Sequence, residues 1–211
     1  MQDKELAAKI RHIKSWLGTG SINLFGLPFS GKDTHGRELA KMFGSELIGG
    51  GDIIRSSGIT KHIEHINTGA LTPTEDYLNL VLPYFERQEF KDKSFILSSV
   101  GRWQGEEKVI LNAAAESGHQ LKAVIFLDIN EAEMRRRWLL AQKLKDRGDR
   151  LDDTGFVFDK RLEEFRKKTL PVIDFYRKEN LLITINGLAQ KPEVSQGIID
   201  QLFLYATSSK K

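Results

Sequence analysis

Short apolar runs alternate with stretches of helical periodicity along the chain. Ser21 to Phe25, Glu46 to Ile48, Ser94 to Ser98, Ala123 to Asp128 and Leu181 to Ile185 each read as a buried strand, because each is brief and mostly apolar. Lys32 to Phe43 sets Leu39, Ala40 and Phe43 on one helical face. Ahead of the first strand, Asp3 to Leu17 repeats Leu6, Ile10, Ile13 and Leu17 at helical spacing with Trp16 nearby, and Gly18 and Gly20 end the run. A single apolar stripe of this kind predicts a leader helix docked on the body of the protein. Two intervals interrupt the alternation. Gly58 to Phe90 carries helical patterns without a strand, and Glu131 to Lys178 is long, charged and largely helical. Strands that alternate with helices imply an α/β fold of three layers, here a five-stranded parallel sheet with helices on both faces. Ligands of such sheets bind beyond the carboxyl ends of the strands.

Composition narrows the setting. A chain of 211 residues buries one substantial core with room for inserted segments, so residues 21–206 are expected to form one domain, preceded by the leader helix at 1–20 and followed by a frayed tail at 207–211. No apolar run reaches the length of a membrane span, and no cysteine is present to form a disulfide or a thiolate zinc site. The N-terminus lacks an apolar signal core. The net charge of +3 is spread among nearly as many acidic residues, which argues against a duplex-binding face. The expectation is a cytoplasmic monomer that binds small anionic molecules, with neither nucleic acid nor membrane as partner.

Candidate chemistry begins after the first strand, at Gly26-Leu27-Pro28-Phe29-Ser30-Gly31-Lys32-Asp33-Thr34. This completes the pattern G-x-x-x-x-G-K. The two glycines leave the backbone free to wrap an anion with inward N–H groups, and Lys32 adds a mobile point charge. Asp33 stands where the common form has Ser or Thr, and Thr34 brings the hydroxyl one residue late.

Four further clusters follow: Gly51-Asp52-Ile53-Ile54-Arg55, Thr68-Gly69-Ala70-Leu71-Thr72-Pro73, Ser98-Ser99-Val100-Gly101-Arg102 and Asp149-Arg150-Leu151-Asp152-Asp153, with Lys160-Arg161-Leu162 soon after. In this order they resemble the adenylate kinase family of nucleoside monophosphate kinases, from about Ile22 to Leu202. The resemblance implies a P-loop kinase fold with two mobile insertions, one binding the monophosphate at about 52–90 and a short lid at about 141–153. It also implies ATP and magnesium as cofactors and small-molecule nucleotides as partners. By the same resemblance, Lys32 holds the donor's outer phosphates with the loop residues 26, 28–31, 33 and 34, and Arg137 covers the donor base. Asp52, Arg55, Leu71 and Arg102 serve the acceptor, Arg150 and Arg161 close on the transferring group, and Asp152 and Asp153 hold the lid. Arginines suit this work because their planar forks grip phosphate oxygens and stay charged. Arg135 and Arg136 are expected on a solvated helix face, and the scattered histidines match no metal-ligand spacing.

The departures from the family pattern point to particular residues. Ser98 occupies the place of the family's Asp, which organises the waters around magnesium, so Asp33 is a candidate to replace that acid in part. Asp33 is equally readable as a helix-start charge directed to solvent. Gly50 and Ser99 replace the usual Thr and Gly near the acceptor base, with Gln104 or Glu106 as candidates for the missing base contact. Ala141 replaces a second lid-side arginine, for which Arg147 is a candidate. The leading function is transfer of the terminal phosphoryl of ATP to a nucleoside monophosphate, foremost AMP. A kinase of the same fold with another acceptor, and a nucleotide-binding relative with little turnover, are the alternatives.

Overall fold

A computed structural model describes residues 2–60, 64, 67–144 and 155–208. In chain order the elements are α1 (Gln2–Leu17), β1 (Ser21–Gly26), α2 (Lys32–Phe43), β2 (Glu46–Gly49), α3 (Gly50–Ser56), α4 (Thr74–Phe85), β3 (Phe95–Ser98), α5 (Glu106–Glu116), β4 (Leu121–Asp128), α6 (Glu131–Leu144), α7 (Gly155–Glu164), a π-helical turn (Phe165–Thr169), α8 (Leu170–Lys178), β5 (Leu182–Asn186) and α9 (Lys191–Ser208). The five strands form one parallel sheet in the order β2-β3-β1-β4-β5. Each expected strand is present, with ends shifted by a residue or two. β1 is central and buried on both faces, which is why its sequence reads as an unbroken run instead of an alternating one.

Alternate residues of β1 serve opposite layers. Ile22 and Leu24 pack with α1, α2 and α9 through Ile13, Leu17, Leu39, Phe43 and Leu202. Phe25 faces the other way, toward Met134, Phe158 and Tyr176 of α6, α7 and α8. On that same face, nearer β3, the helices α3 to α5 pack Ile54, Tyr77, Phe85 and Ile110 around Phe95 and Leu97. The leader helix is part of the body: Ile13 and Leu17 are buried, and Lys9 Nζ lies 2.8 Å from Asp200 Oδ1 of α9. The tail departs from expectation at its start. Thr207 and Ser208 continue α9, and their hydroxyls donate to the carbonyls of Phe203 and Leu204, at 2.8 and 3.0 Å.

β1 lies between β3 and β4, and the chain turns to opposite sides of it for β2–β3 and for β4–β5. A parallel sheet opens a crevice at the carboxyl end of such a strand. The loop from Gly26 to Gly31 sits there.

Candidate active site

The loop is built to bring backbone close to a ligand. A Cβ on Gly26 would lie 2.5 Å from Ser30 Oγ and 2.9 Å from the Leu127 carbonyl, so only glycine fits. Gly31 takes φ +95° where the chain enters α2, a conformation that glycine adopts readily, and Phe29 takes φ +62°. The first-turn N–H groups of α2 lack helical partners and face the crevice end of β1, which makes a seat for an anion. Gly26, Pro28, Phe29, Gly31, Lys32, Asp33 and Thr34 all line a cleft of about 650 Å³. Ser30 does not: it is buried beneath the loop, and its N–H is used by the Leu27 carbonyl at 3.1 Å.

On the β2–β3 side, α3 carries Asp52 and Arg55 into the same cleft as an ion pair. Leu71 also lines it, from the loop before α4. Arg102 is presented by the segment after β3, and that segment is fixed from β1. Asn23 Nδ2 donates to the Val100 carbonyl at 2.7 Å, and Asn23 Oδ1 accepts the Val100 N–H at 3.3 Å. Ser98 Oγ donates to Asp33 Oδ1 at 2.7 Å, joining the end of β3 to the first turn of α2. Burial pulls the Arg102 guanidinium below its ordinary value, while Tyr77, Glu106, Asp33 and Glu164 act in the opposite sense. It stays charged at any working pH.

Of the two candidates for a base contact, Gln104 is exposed and stands outside the cleft lining. Its side chain follows a tight turn that directs it to solvent. Glu106 is buried, and its Oε2 accepts the Trp103 N–H at 3.0 Å at the start of α5. Burial pushes its carboxyl above the ordinary value, against the pull of that N–H, of Thr74 and of Arg102. The absence of a side chain at Gly50 has a local cause. A Cβ there would meet Tyr77 Oη at 2.7 Å, and the same Oη accepts the Gly101 N–H at 3.0 Å.

From the opposite side, Arg161 and Glu164 of α7 and Phe165 and Thr169 of the π-helical turn reach the cleft. Thr169 Oγ1 donates to the Arg102 carbonyl at 3.1 Å, and Lys168 Nζ stands 3.6 Å from the centre of the Trp103 ring. Arg137 lines the cleft with most of its donors committed. Nε donates to Glu133 Oε1 at 2.6 Å, Nη1 to the Ser30 carbonyl at 3.3 Å and Nη2 to the Gly187 carbonyl at 2.6 Å. It therefore fastens α6 to the loop and to the turn after β5, leaving the flat guanidinium face for a ligand. Arg136 and Arg137 together hold the Glu133 carboxyl down to about 2. Arg135 and Arg136 are exposed, as their helix face predicts. Arg147, Arg150, Asp152 and Asp153 lie outside the described residues.

The described lining sets six cations, Lys32, Arg37, Arg55, Arg102, Arg137 and Arg161, against three acids, Asp33, Asp52 and Glu164. Such an excess in one cleft attracts polyanions and suits phosphoryl groups held from several sides. The family model for adenylate kinase matches residues 24–181. The chain belongs to the adenylate kinase family. The chain is 31% identical to the adenylate kinase of Bacteroides thetaiotaomicron over 176 residues, covering 80% of this chain and 90% of the relative. It is 29% identical to the Methylobacterium nodulans adenylate kinase, covering 84% and 93%, and 28% identical to that of a Cyanothece species, covering 85% and 94%.

Several residues in or behind the cleft escape sequence reasoning. Arg37 and Glu164 sit in ordinary-looking charged helix faces, and nothing in their spacing separates them from solvated neighbours. Tyr77 reads as core because it is core. Asn23 alone carries a signal, as a lone amide inside an apolar strand, where a buried polar group must have specific partners.

Proposed function

We infer that this member of the family is an ATP-dependent nucleoside monophosphate kinase that transfers the terminal phosphoryl of ATP to AMP, with magnesium. The observation that supports this best is the convergence of Lys32, Arg102 and Arg161 on one cleft at the carboxyl end of β1. These side chains come from three separate parts of the chain, and phosphoryl transfer needs fixed cations around a spread negative charge.

In this reading the phosphate loop and Lys32 seat the donor's phosphates, and the face of Arg137 covers the donor base. Arg55 and Arg102 grip the acceptor phosphate, with Asp52 and Leu71 beside it. Two arginines on that side of the cleft favour a phosphate-bearing acceptor, because their planar forks grip phosphate oxygens in pairs. Arg161 approaches the transferring group, a role that the family resemblance also gives to Arg150. Bound magnesium would neutralise phosphate charge, and the hard oxygens of Asp33, Thr34 and Ser98 suit that ion. No helix among the described residues is long and apolar enough to cross a membrane. A cytoplasmic, monomeric enzyme acting on small nucleotides, without nucleic acid as partner, completes the proposal. A coupled assay of ATP against AMP, CMP, UMP and GMP tests it. Turnover with AMP above the others is expected; binding of ATP without transfer to any acceptor would overturn the assignment.

A further inference from the structure

Glu106 is buried, with 2% of its surface exposed, and it stands outside the cleft lining. Taking an acid out of water is costly unless specific partners compensate. An ordinary helix-start role does not account for it, because its neighbour Glu107 already secures the turn before α5 by accepting the Gly105 N–H at 2.6 Å. Glu106 reaches further back. Its Oε2 accepts the Trp103 N–H at 3.0 Å, and the carboxylate is steadied in addition by the Thr74 side chain, the Arg102 guanidinium and the Arg102 N–H. These partners belong to two parts of the acceptor side. Arg102 and Trp103 form the segment after β3 that presents the guanidinium to the cleft. Thr74 is the first residue of α4, and Tyr77, three residues on, accepts the Gly101 N–H at 3.0 Å. The helix thus holds the segment at two points, directly through Tyr77 and from Thr74 through Glu106. A carboxylate suits the middle of this arrangement because it only accepts, so donors can converge on it from two directions while its charge faces a guanidinium.

We propose that Glu106 is a positioning residue for the acceptor phosphate: it fastens the Arg102 segment to the start of α4, so that the guanidinium stands in its binding direction before the ligand arrives. This rests on the reading above in which Arg102 grips the acceptor phosphate. A guanidinium held in this way is ordered during folding, and binding is spared the loss of freedom. The role takes the place of a base contact at position 106, since a side chain outside the lining has no face to offer a base. Two consequences separate the alternatives. Glu106 acts on every monophosphate alike, because the phosphate is common to all of them, and it acts only while Arg102 is present. A base contact would instead change the ranking of the monophosphates and would survive the loss of Arg102.

The test measures binding by the full chain, without phosphoryl transfer. AMP, CMP, UMP and GMP, and separately ATP, are titrated calorimetrically into wild type, Glu106→Ala, Glu106→Gln, Arg102→Ala and the double variant Glu106→Ala/Arg102→Ala. Binding by wild type judges the acceptor reading, and the differences among variants judge the positioning role. Glu106→Ala should weaken the tightest-binding monophosphate by about tenfold, the effect of ordering a long side chain and its loop at the moment of binding, and ATP by less than about twofold. The order of the four monophosphates should stay as in wild type. Glu106→Gln keeps one accepting oxygen but adds an amide donor among N–H groups, so its loss should fall between wild type and Glu106→Ala. In the Arg102→Ala background the Glu106 substitution should change affinity by less than about twofold, because the residue through which it acts has gone. Should Glu106→Ala fail to fold, Glu106→Gln carries the same cycle. Wild-type affinity in both Glu106 variants, equal losses for ATP and the monophosphate, a changed order among the four, or an undiminished loss in the Arg102→Ala background would each overturn the role.

Discussion

The backbone N–H of Leu71 donates to Glu164 Oε2 at 3.3 Å, joining the loop before α4 to the helix that carries Arg161. The contact is continuous with its neighbour: a Cβ on Gly69 would lie 2.9 Å from the Val157 carbonyl and 3.3 Å from Arg161 Cγ. Both segments bring arginines to the cleft, Arg55 and Arg161, whose like charges disfavour their approach. In this structure a carboxylate stands between them, held by Lys168 and, at 3.6 Å, by Lys160.

Replacing Glu164 by alanine should therefore loosen the acceptor side first. It strands a backbone donor and a lysine, a loss of about 1–3 kcal/mol. Carried wholly into AMP binding, that range corresponds to roughly five- to 140-fold in affinity. Calorimetry with AMP and with ATP separately should show the larger loss for AMP.

Lys32→Ala should lower turnover by about 10²- to 10³-fold with the fold intact, because the ammonium matters most as charge moves in the transition state. Steady-state kinetics beside a far-ultraviolet dichroism spectrum would check it. Near-normal turnover would remove the assigned role.

Arg102→Ala should weaken AMP binding by roughly ten- to a hundredfold, the range for hydrogen bonds to a charged group, and ATP binding much less. Its loop is fixed by Asn23 and Thr169, so the loss belongs to the missing guanidinium and not to a displaced backbone. Equal losses for both nucleotides would move Arg102 to the transfer centre.

The sheet and the loop were legible because they depend on local pattern. Five apolar runs mark the strands, and two glycines and a lysine mark turn and helix start within about ten residues of the end of the first. What was not legible depends on which strands lie side by side. Asp33 meets Ser98 only because β3 returns next to β1, and no spacing in the sequence announces a contact made through sheet order. The same holds for Glu164 with Leu71, 93 residues apart. Arg137 illustrates another limit. Its position in the family pattern was visible, but its partners are carbonyl groups, which every residue has. Spacing alone does not separate Gln104 from Glu106, whereas a turn to solvent and a helix-start hydrogen bond decide where they go.

His35 lies behind the phosphate loop, with Nδ1 3.2 Å from Ser195 Oγ, which in turn donates to Glu38 Oε2 at 2.9 Å. Burial lowers the imidazole pKa from its ordinary 6.5; Glu38 raises it, and Lys191 and Arg137 lower it further. The folded state thus binds a proton less readily than the unfolded state. Stability is full above the unfolded value and falls as pH drops below it toward the folded one. Urea midpoints at about pH 8 and about pH 5 should differ more for wild type than for His35→Gln, which cannot titrate. Parallel midpoints in the two proteins would show that His35 carries no such linkage.

The last prediction concerns Gly50 and Tyr77, whose hydroxyl fills the space that a side chain at position 50 would need. Gly50→Ala puts a methyl 2.7 Å from Tyr77 Oη and 3.2 Å from the Ser99 carbonyl, and overpacking of this kind costs about 1–3 kcal/mol. Tyr77→Phe strands the Gly101 N–H, which the hydroxyl accepts at 3.0 Å, at a cost in the same range. In the double variant the phenyl edge leaves room for the new methyl, so the two losses should not add. A double-mutant cycle by chemical denaturation should return a coupling of about 0.5–3 kcal/mol in favour of the pair. Strict additivity would mean that the Ser99 carbonyl, and not Tyr77, excludes the side chain. Because Gly101 immediately precedes Arg102, Tyr77→Phe should also weaken AMP binding more than ATP binding, connecting the glycine's local cause to the acceptor site.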